Sequence, residues 1–127
     1  MAQAITHLKV PTRHQDRSEC LGPDGSAAQV IRVLAMVSGR WKLPILFRLY
    51  EQPKLRNAEL KRDMPNVSQK MLTQHLRELE EDGLISRLDF GEPRPRVEYS
   101  LTPGGLALIP VLAAAKRFSE SHQSSRL

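Results

Sequence analysis

Ser68-Gln69-Lys70-Met71-Leu72-Thr73-Gln74-His75-Leu76-Arg77-Glu78-Leu79-Glu80-Glu81-Asp82-Gly83 is the stretch on which the reading of this chain turns. Serine is a common helix cap and glycine commonly follows a helix end, so Ser68 and Gly83 bracket a helix over 68–82. At about 100° per residue, Met71, Leu72, His75, Leu76 and Leu79 fall within one arc, and Lys70, Thr73, Gln74 and Arg77 within the opposite one. The first arc is expected to face a core and the second water. The polar arc opens with hydroxyl, amide and cationic side chains, the types that bond phosphates and base edges, and carries no acid before Glu78. Glu78, Glu80, Glu81 and Asp82 crowd the C-terminal end, where the helix macrodipole disfavours acids. A helix entering a major groove N-terminal end first would hold those acids away from phosphates. An amphipathic surface helix needs no ligand, however, so this segment alone does not decide between the two readings.

On its C-terminal side, 84–90 and 96–101 read as two strands joined by a turn over 91–95 that contains one glycine and two prolines. Arg94 lies in this turn and Arg96 beside it. The prolines restrict the tip before any partner arrives, and arginines placed there can track a phosphate backbone or enter a minor groove. Thr102 and Pro103 make a cap and first turn for a last helix reaching Phe118, with Leu106, Ile109, Leu112 and Ala113 on one side. On the N-terminal side, Asn57 is expected to cap a helix over 58–64, and Pro65 and Asn66 to turn the chain into 68–82. Leu55 and Arg56 read as a brief extended piece. Earlier still, 41–50 is a mostly apolar helix expected to be buried, with Pro44 in its first turn, and Ser26 caps a helix over 27–37 whose Val30, Leu34 and Val37 recur on one buried face.

Residues 1–26 show no period and hold Pro11, Gly22, Pro23 and Gly25, as a mobile arm would, while 119–127 form a polar tail. The order is helix, helix, short strand, helix, helix, hairpin, helix. That is a mainly α chain with a small β-hairpin, of the α+β class, and describes a winged helix-turn-helix domain over 27–118.

Composition removes most other functions. A chain of 127 residues, 40% hydrophobic and 26% charged, fits one folded domain. Nineteen Lys and Arg against fourteen Asp and Glu leave a net charge of +5, which favours an anionic partner. No run approaches the roughly 18 apolar residues of a spanning helix, and the first thirty residues lack a secretory signal, so a cytoplasmic protein without a membrane partner is expected. Cys20 is the single cysteine, which excludes an internal disulfide, a four-thiolate zinc site and a CxxC pair within one chain. His7, His14, His75 and His122 are scattered, so no metal site is expected, and His75 reads as packed or at a boundary. Trp41 reads as a core or dimer-boundary anchor. No GxSxG, GxxxxGK[ST] or HExxH pattern occurs, so neither an enzyme nor a cofactor is implied. A winged helix used only for protein contacts is the alternative. The acid-free face of Lys70, Thr73, Gln74 and Arg77 and the basic wing favour duplex DNA over it.

Three blocks, Gly39-Arg40-Trp41-Lys42, then residues 68–84, then Pro95-Arg96-Val97-Glu98-Tyr99-Ser100-Leu101-Thr102-Pro103, resemble the HxlR-type transcriptional regulators, relatives of the MarR group. The likeness spans roughly residues 20–118. It implies a homodimeric winged helix protein that binds palindromic operators in double-stranded DNA. It places Ser68, Gln69, Lys70, Thr73, Gln74 and Arg77 on the reading helix, Arg94 and Arg96 on the wing, and the dimer interface in the N- and C-terminal helices. Some members sense oxidants or electrophiles through an N-terminal cysteine, which makes Cys20 a candidate redox sensor for an oxidant or small-molecule effector. Two features depart from the pattern: Asn57 stands where the family usually has phenylalanine, and Cys20 lies farther from Trp41 than usual. Repression is the expected outcome of promoter occupancy by so small a regulator.

Overall fold

A computed structural model describes residues 20–91, 93 and 96–123, and the chain divides between residues 38 and 39 into two units. The first contains α1 (Ser26–Val37). The second contains α2 (Lys42–Glu51), β1 (Leu55–Arg56), α3 (Asn57–Asp63), α4 (Gln69–Glu81), β2 (Ile85–Asp89), β3 (Val97–Leu101) and α5 (Pro103–Ser121). Of the expected arm over 1–26, residues 1–19, with His7 and His14, lie outside the described residues, as do Arg94 and residues 124–127 of the expected tail.

The core of the second unit is built from one face of each helix. Ile45, Leu46 and Leu49 from α2, Leu60 from α3 and Leu72, Leu76 and Leu79 from α4 are all at most 1% exposed. Each such side chain contributes on the order of 1.5–3 kcal/mol through removal of apolar surface from water. Leu55, Ile85 and Tyr99 close this core from the sheet. The sheet has the order β1-β3-β2 and is antiparallel throughout. Leu55 lies opposite Tyr99 and Ile85 opposite Leu101. The short extended piece at Leu55–Arg56 is therefore a third strand, hydrogen-bonded to the hairpin across 40 residues of intervening chain.

The junction between α4 and α5 is fixed by backbone chemistry. Asp82 ends α4, and Gly83 follows with φ of 77°, a left-handed conformation that glycine adopts without a Cβ clash. The Gly83 amide donates to the Glu80 carbonyl at 3.0 Å and the Leu84 amide to the Leu79 carbonyl at 3.0 Å, the paired bonds of a Schellman stop. Thr102 then serves both sides: its hydroxyl donates to the Gly83 carbonyl at 2.6 Å and accepts from the Gly105 amide at 3.0 Å, capping α5.

Four expectations are corrected. Val30 and Leu34 of α1 are 56% and 58% exposed, with only Val37 buried; apolar periodicity defines a face but not what covers it. Phe47 and Tyr50 of α2 and Met71 of α4 are likewise exposed, since each lies at or beyond the edge of its helix's buried arc. Asn57 does not cap α3: Arg56 holds the cap position, and its amide donates to Glu59 Oε1 at 2.8 Å. The last helix continues past Phe118 to Ser121.

Gly105 is the position least tolerant of a side chain, because an added Cβ would lie 2.1 Å from the Leu84 carbonyl oxygen, against 3.3 Å to the nearest atom at Gly104. Gly105→Ala should lower stability by about 1–3 kcal/mol or more, through displacement of α5 from the α4 stop. Gly104→Ala should cost clearly less, as read from the urea midpoints of the two variants.

Candidate nucleic-acid interface

The exposed side of α4 is assembled from its cap forward. Ser68 Oγ accepts from the Met71 amide at 3.1 Å and so opens the helix. Gln69, Lys70, Thr73, Gln74 and Arg77 follow, all exposed. Their side chains are not loose. Gln69 Nε2 donates to Asn57 Oδ1 at 2.7 Å and to Thr73 Oγ1 at 3.2 Å. Gln74 Nε2 donates to Glu78 Oε2 at 2.7 Å, and Arg77 Nη1 donates to Gln74 Oε1 at 3.4 Å. Lys70 forms no ion pair among the described residues, so its charge is available to a phosphate.

Behind this face lies Lys42, 7% exposed, whose ammonium sits 2.7 Å from Glu78 Oε1. The carboxylate that orients Gln74 from below thus neutralises a buried lysine of α2. Glu78 is held down to about 2 from an ordinary 4.5, first by the hydrogen bond from Gln74 and then by the hydrogen bond and charge of Lys42. His75 is buried on the core side as expected, with Nδ1 lacking a hydrogen-bond partner 3.9 Å from Glu78 Oε1.

The hairpin brings a second set of cations. The Arg96 guanidinium lies over the Phe90 ring, 4.4 Å from its centroid, and 3.6 Å from Glu98 Oε2. Arg87 of β2 shares with Thr73, Arg77, Glu80 and Tyr99 a cleft of about 370 Å³ between α4 and the sheet. The geometry therefore brings together Gln69, Lys70, Thr73, Gln74 and Arg77 on one helix face, and places Arg96 at the base of the hairpin tip. Cys20 is half-buried in the first unit and forms no disulfide. Trp41 is half-buried at the start of α2, with Arg40 5.2 Å above its ring.

Three residues of this surface escaped the sequence reading. Lys42 stood in one of the blocks that carry the resemblance but gave no sign of its burial against Glu78, because a lysine in a first turn is ordinarily solvated. Asn57 looked like a cap, although Glu59, three residues after Arg56, was the readable mark of the true one. Arg87 could have been found from the alternation of β2.

A turn-linked pair of helices, α3 and α4, followed by a hairpin with an arginine at its base, defines the winged helix-turn-helix class of DNA-binding proteins. The sequence matches the HxlR-like helix-turn-helix family over residues 36–126, and the chain belongs to that family. It is 45% identical over 89 residues to the HTH-type transcriptional regulator YtcD of Bacillus subtilis (strain 168), covering 70% of each chain. A transcriptional regulator of the MarR family from Enterococcus faecalis V583 superposes with a TM-score of 0.72 at 38% identity, over 82% of this chain and 93% of that one. The reduced form of the redox regulator HypR superposes with a TM-score of 0.67 at 38% identity, over 73% and 91%. The protein is a DNA-binding transcriptional regulator of the HxlR type, and among the described residues no helix is long and apolar enough to cross a membrane.

The Glu78 carboxyl titrates near 2 when folded and near 4.5 when unfolded, so the unfolded chain binds more protons in between. The stability it supplies is complete above about pH 5 and is lost as pH falls toward 2. Glu78→Gln, which leaves Lys42 buried without a counter-charge, should be the less stable protein at neutral pH. The gap should close across this acid window as the wild type converges on the variant, measured by urea unfolding at stepped pH.

Proposed function

We propose that this regulator is a cytoplasmic homodimer that binds a palindromic operator and represses by occupying a promoter. Two copies of α4 enter successive major grooves about 34–36 Å apart. Ser68, Gln69, Lys70, Thr73, Gln74 and Arg77 form the reading surface, with Arg94 and Arg96 on the wing. The observation that carries this reading is the exposed α4 face of amides, hydroxyl and cations, whose nearest acid, Glu78, is engaged by Lys42 and Gln74. Dimerisation is supported by the apolar residues that the N- and C-terminal helices leave exposed. Val30, Ile31 and Leu34 on α1 and Leu106, Val111 and Phe118 on α5 are each more than half exposed, as surfaces awaiting a second copy are.

Selection of bound fragments from genomic DNA, followed by footprinting, tests the reading: it predicts an inverted repeat with two protected half-sites. Gln74→Ala should relax preference at one operator position by about 1–3 kcal/mol. Lys70→Ala should weaken operator and random DNA alike and reduce the salt slope by about one counterion. Equal losses from both changes on both kinds of DNA would count against the scheme.

A second reading, favoured by the likeness to the redox regulator HypR, makes Cys20 a sensor. It lies outside residues 36–126 matched to the family and is the chain's one thiol. A disulfide would therefore join two protomers, with the two thiol protons and two electrons passing to the oxidant. Diamide should release the wild type from its operator and leave Cys20→Ser bound; equal release of both proteins eliminates the sensor.

A further inference from the structure

We infer that Asn57 sets the base preference of the reading helix: its hydrogen bond to Gln69 leaves only the Gln69 carbonyl oxygen facing outward, which selects adenine or cytosine, the bases with an exocyclic amino group in the major groove, over guanine or thymine on the strand it contacts. The inference rests on the reading of α4 as the helix that contacts DNA.

A primary amide has two N–H groups and one carbonyl oxygen. In Gln69 both N–H groups are committed within the protein, to Asn57 Oδ1 at 2.7 Å and to Thr73 Oγ1 at 3.2 Å. Gln69 Oε1 has no hydrogen-bond partner among the described residues, and the side chain is exposed. A free glutamine reads adenine bidentately, donating to N7 while accepting from the N6 amino group. The anchored amide has no hydrogen to offer N7. It accepts only, which suits the N4 amino group of cytosine or the N6 amino group of adenine and rejects the O6 and O4 acceptors of guanine and thymine.

Asn57 is well placed to hold this orientation. It is the first residue of α3, half-buried, and twelve positions before Gln69, so its bond crosses from one helix of the pair to the other. Thr73 accepts from Gln69, which turns its own hydroxyl proton elsewhere and makes it a donor toward a groove acceptor or phosphate. Gln74 differs: one N–H goes to Glu78 and its carbonyl accepts from Arg77, leaving a hydrogen and a lone pair free. Asn57 is thus a positioning residue, acting through Gln69.

The test is selection of duplexes from a random pool by the full-length wild type, Asn57→Ala, Asn57→Asp and Gln69→Ala, followed by competition with modified operators. The wild type should require an amino-bearing base at one position of each half-site, discriminating by roughly five- to tenfold. Removing that amino group should abolish the discrimination, whereas a 7-deaza purine in the same pair should bind as well as the natural base. Asn57→Ala and Gln69→Ala should both lose the preference, and the double variant should lose no more. Asn57→Asp keeps the acceptor oxygen and should keep the preference ratio, although its added charge lowers affinity for every duplex. A wild type that selects an operator but binds the 7-deaza duplex poorly, or an Asn57→Ala protein with an unchanged ratio, overturns the inference and leaves the DNA reading intact. A wild type that selects nothing overturns both. The base-analogue series uses the unaltered protein, so it decides the point without any variant folding.

Discussion

The ion pair between Lys42 and Glu78 is the constraint on which the presentation of α4 depends. An ammonium at 7% exposure with a carboxylate oxygen 2.7 Å away has lost most of its hydration, and such pairs return little net stability against an apolar replacement. What the pair supplies is position. A leucine face could pack on α2 with α4 rotated or slid by a fraction of a turn. A buried charge permits no slip, because moving Glu78 away leaves Lys42 without a counter-charge. The other oxygen of the same carboxylate accepts from Gln74, so the internal constraint is carried to the outer face of the helix.

The remaining polar side chains of that face extend the same logic. Gln69 is tied to α3 through Asn57, Arg77 to Gln74, and Arg96 to Phe90 and Glu98. Each tie restricts rotamers before a partner arrives, which reduces the entropy lost on association. Below the surface, α3 is braced against α2 by the ion pair of Arg48 and Asp63, and α4 against α5 by the Thr102 hydroxyl. The helix-turn-helix is held from three sides by side chains whose partners lie on different elements.

Much of this was readable in the sequence, and the failures have common causes. The limits of α4 were legible because Ser68 and Gly83 carry local chemistry that needs no tertiary context. The burial of Leu72, Leu76 and Leu79 was legible because a 3.6-residue period is a property of the helix alone. Met71 was misassigned because it sits at the border of the arc, where position along the helix does not specify the neighbour. Val30 and Leu34 were misassigned for a different reason: their period is real, but a period defines a face without specifying what lies against it. The pairing of β1 with the hairpin was invisible, since two residues cannot display an alternation. The polar ties of Lys42 and Asn57 were invisible because each joins two separate helices, and residue type alone says only that a side chain can bond.

A helix of 13 residues is about 20 Å long at 1.5 Å per residue, and only its first two turns carry side chains suited to bases. One such helix can touch only a few base pairs, and a few kcal/mol of discrimination does not single out one site among the very many that a chromosome offers. Doubling the contacts through symmetry doubles that free energy, and so squares the affinity ratio, without enlarging the domain, provided the two helices keep a fixed separation. This argues for the proposed dimer on grounds independent of the exposed apolar residues of α1 and α5. The rigidity built into the face of α4 has a use only if the second copy is held as firmly, because a loosely tethered partner would lose through variable span what the anchored side chains gain in register.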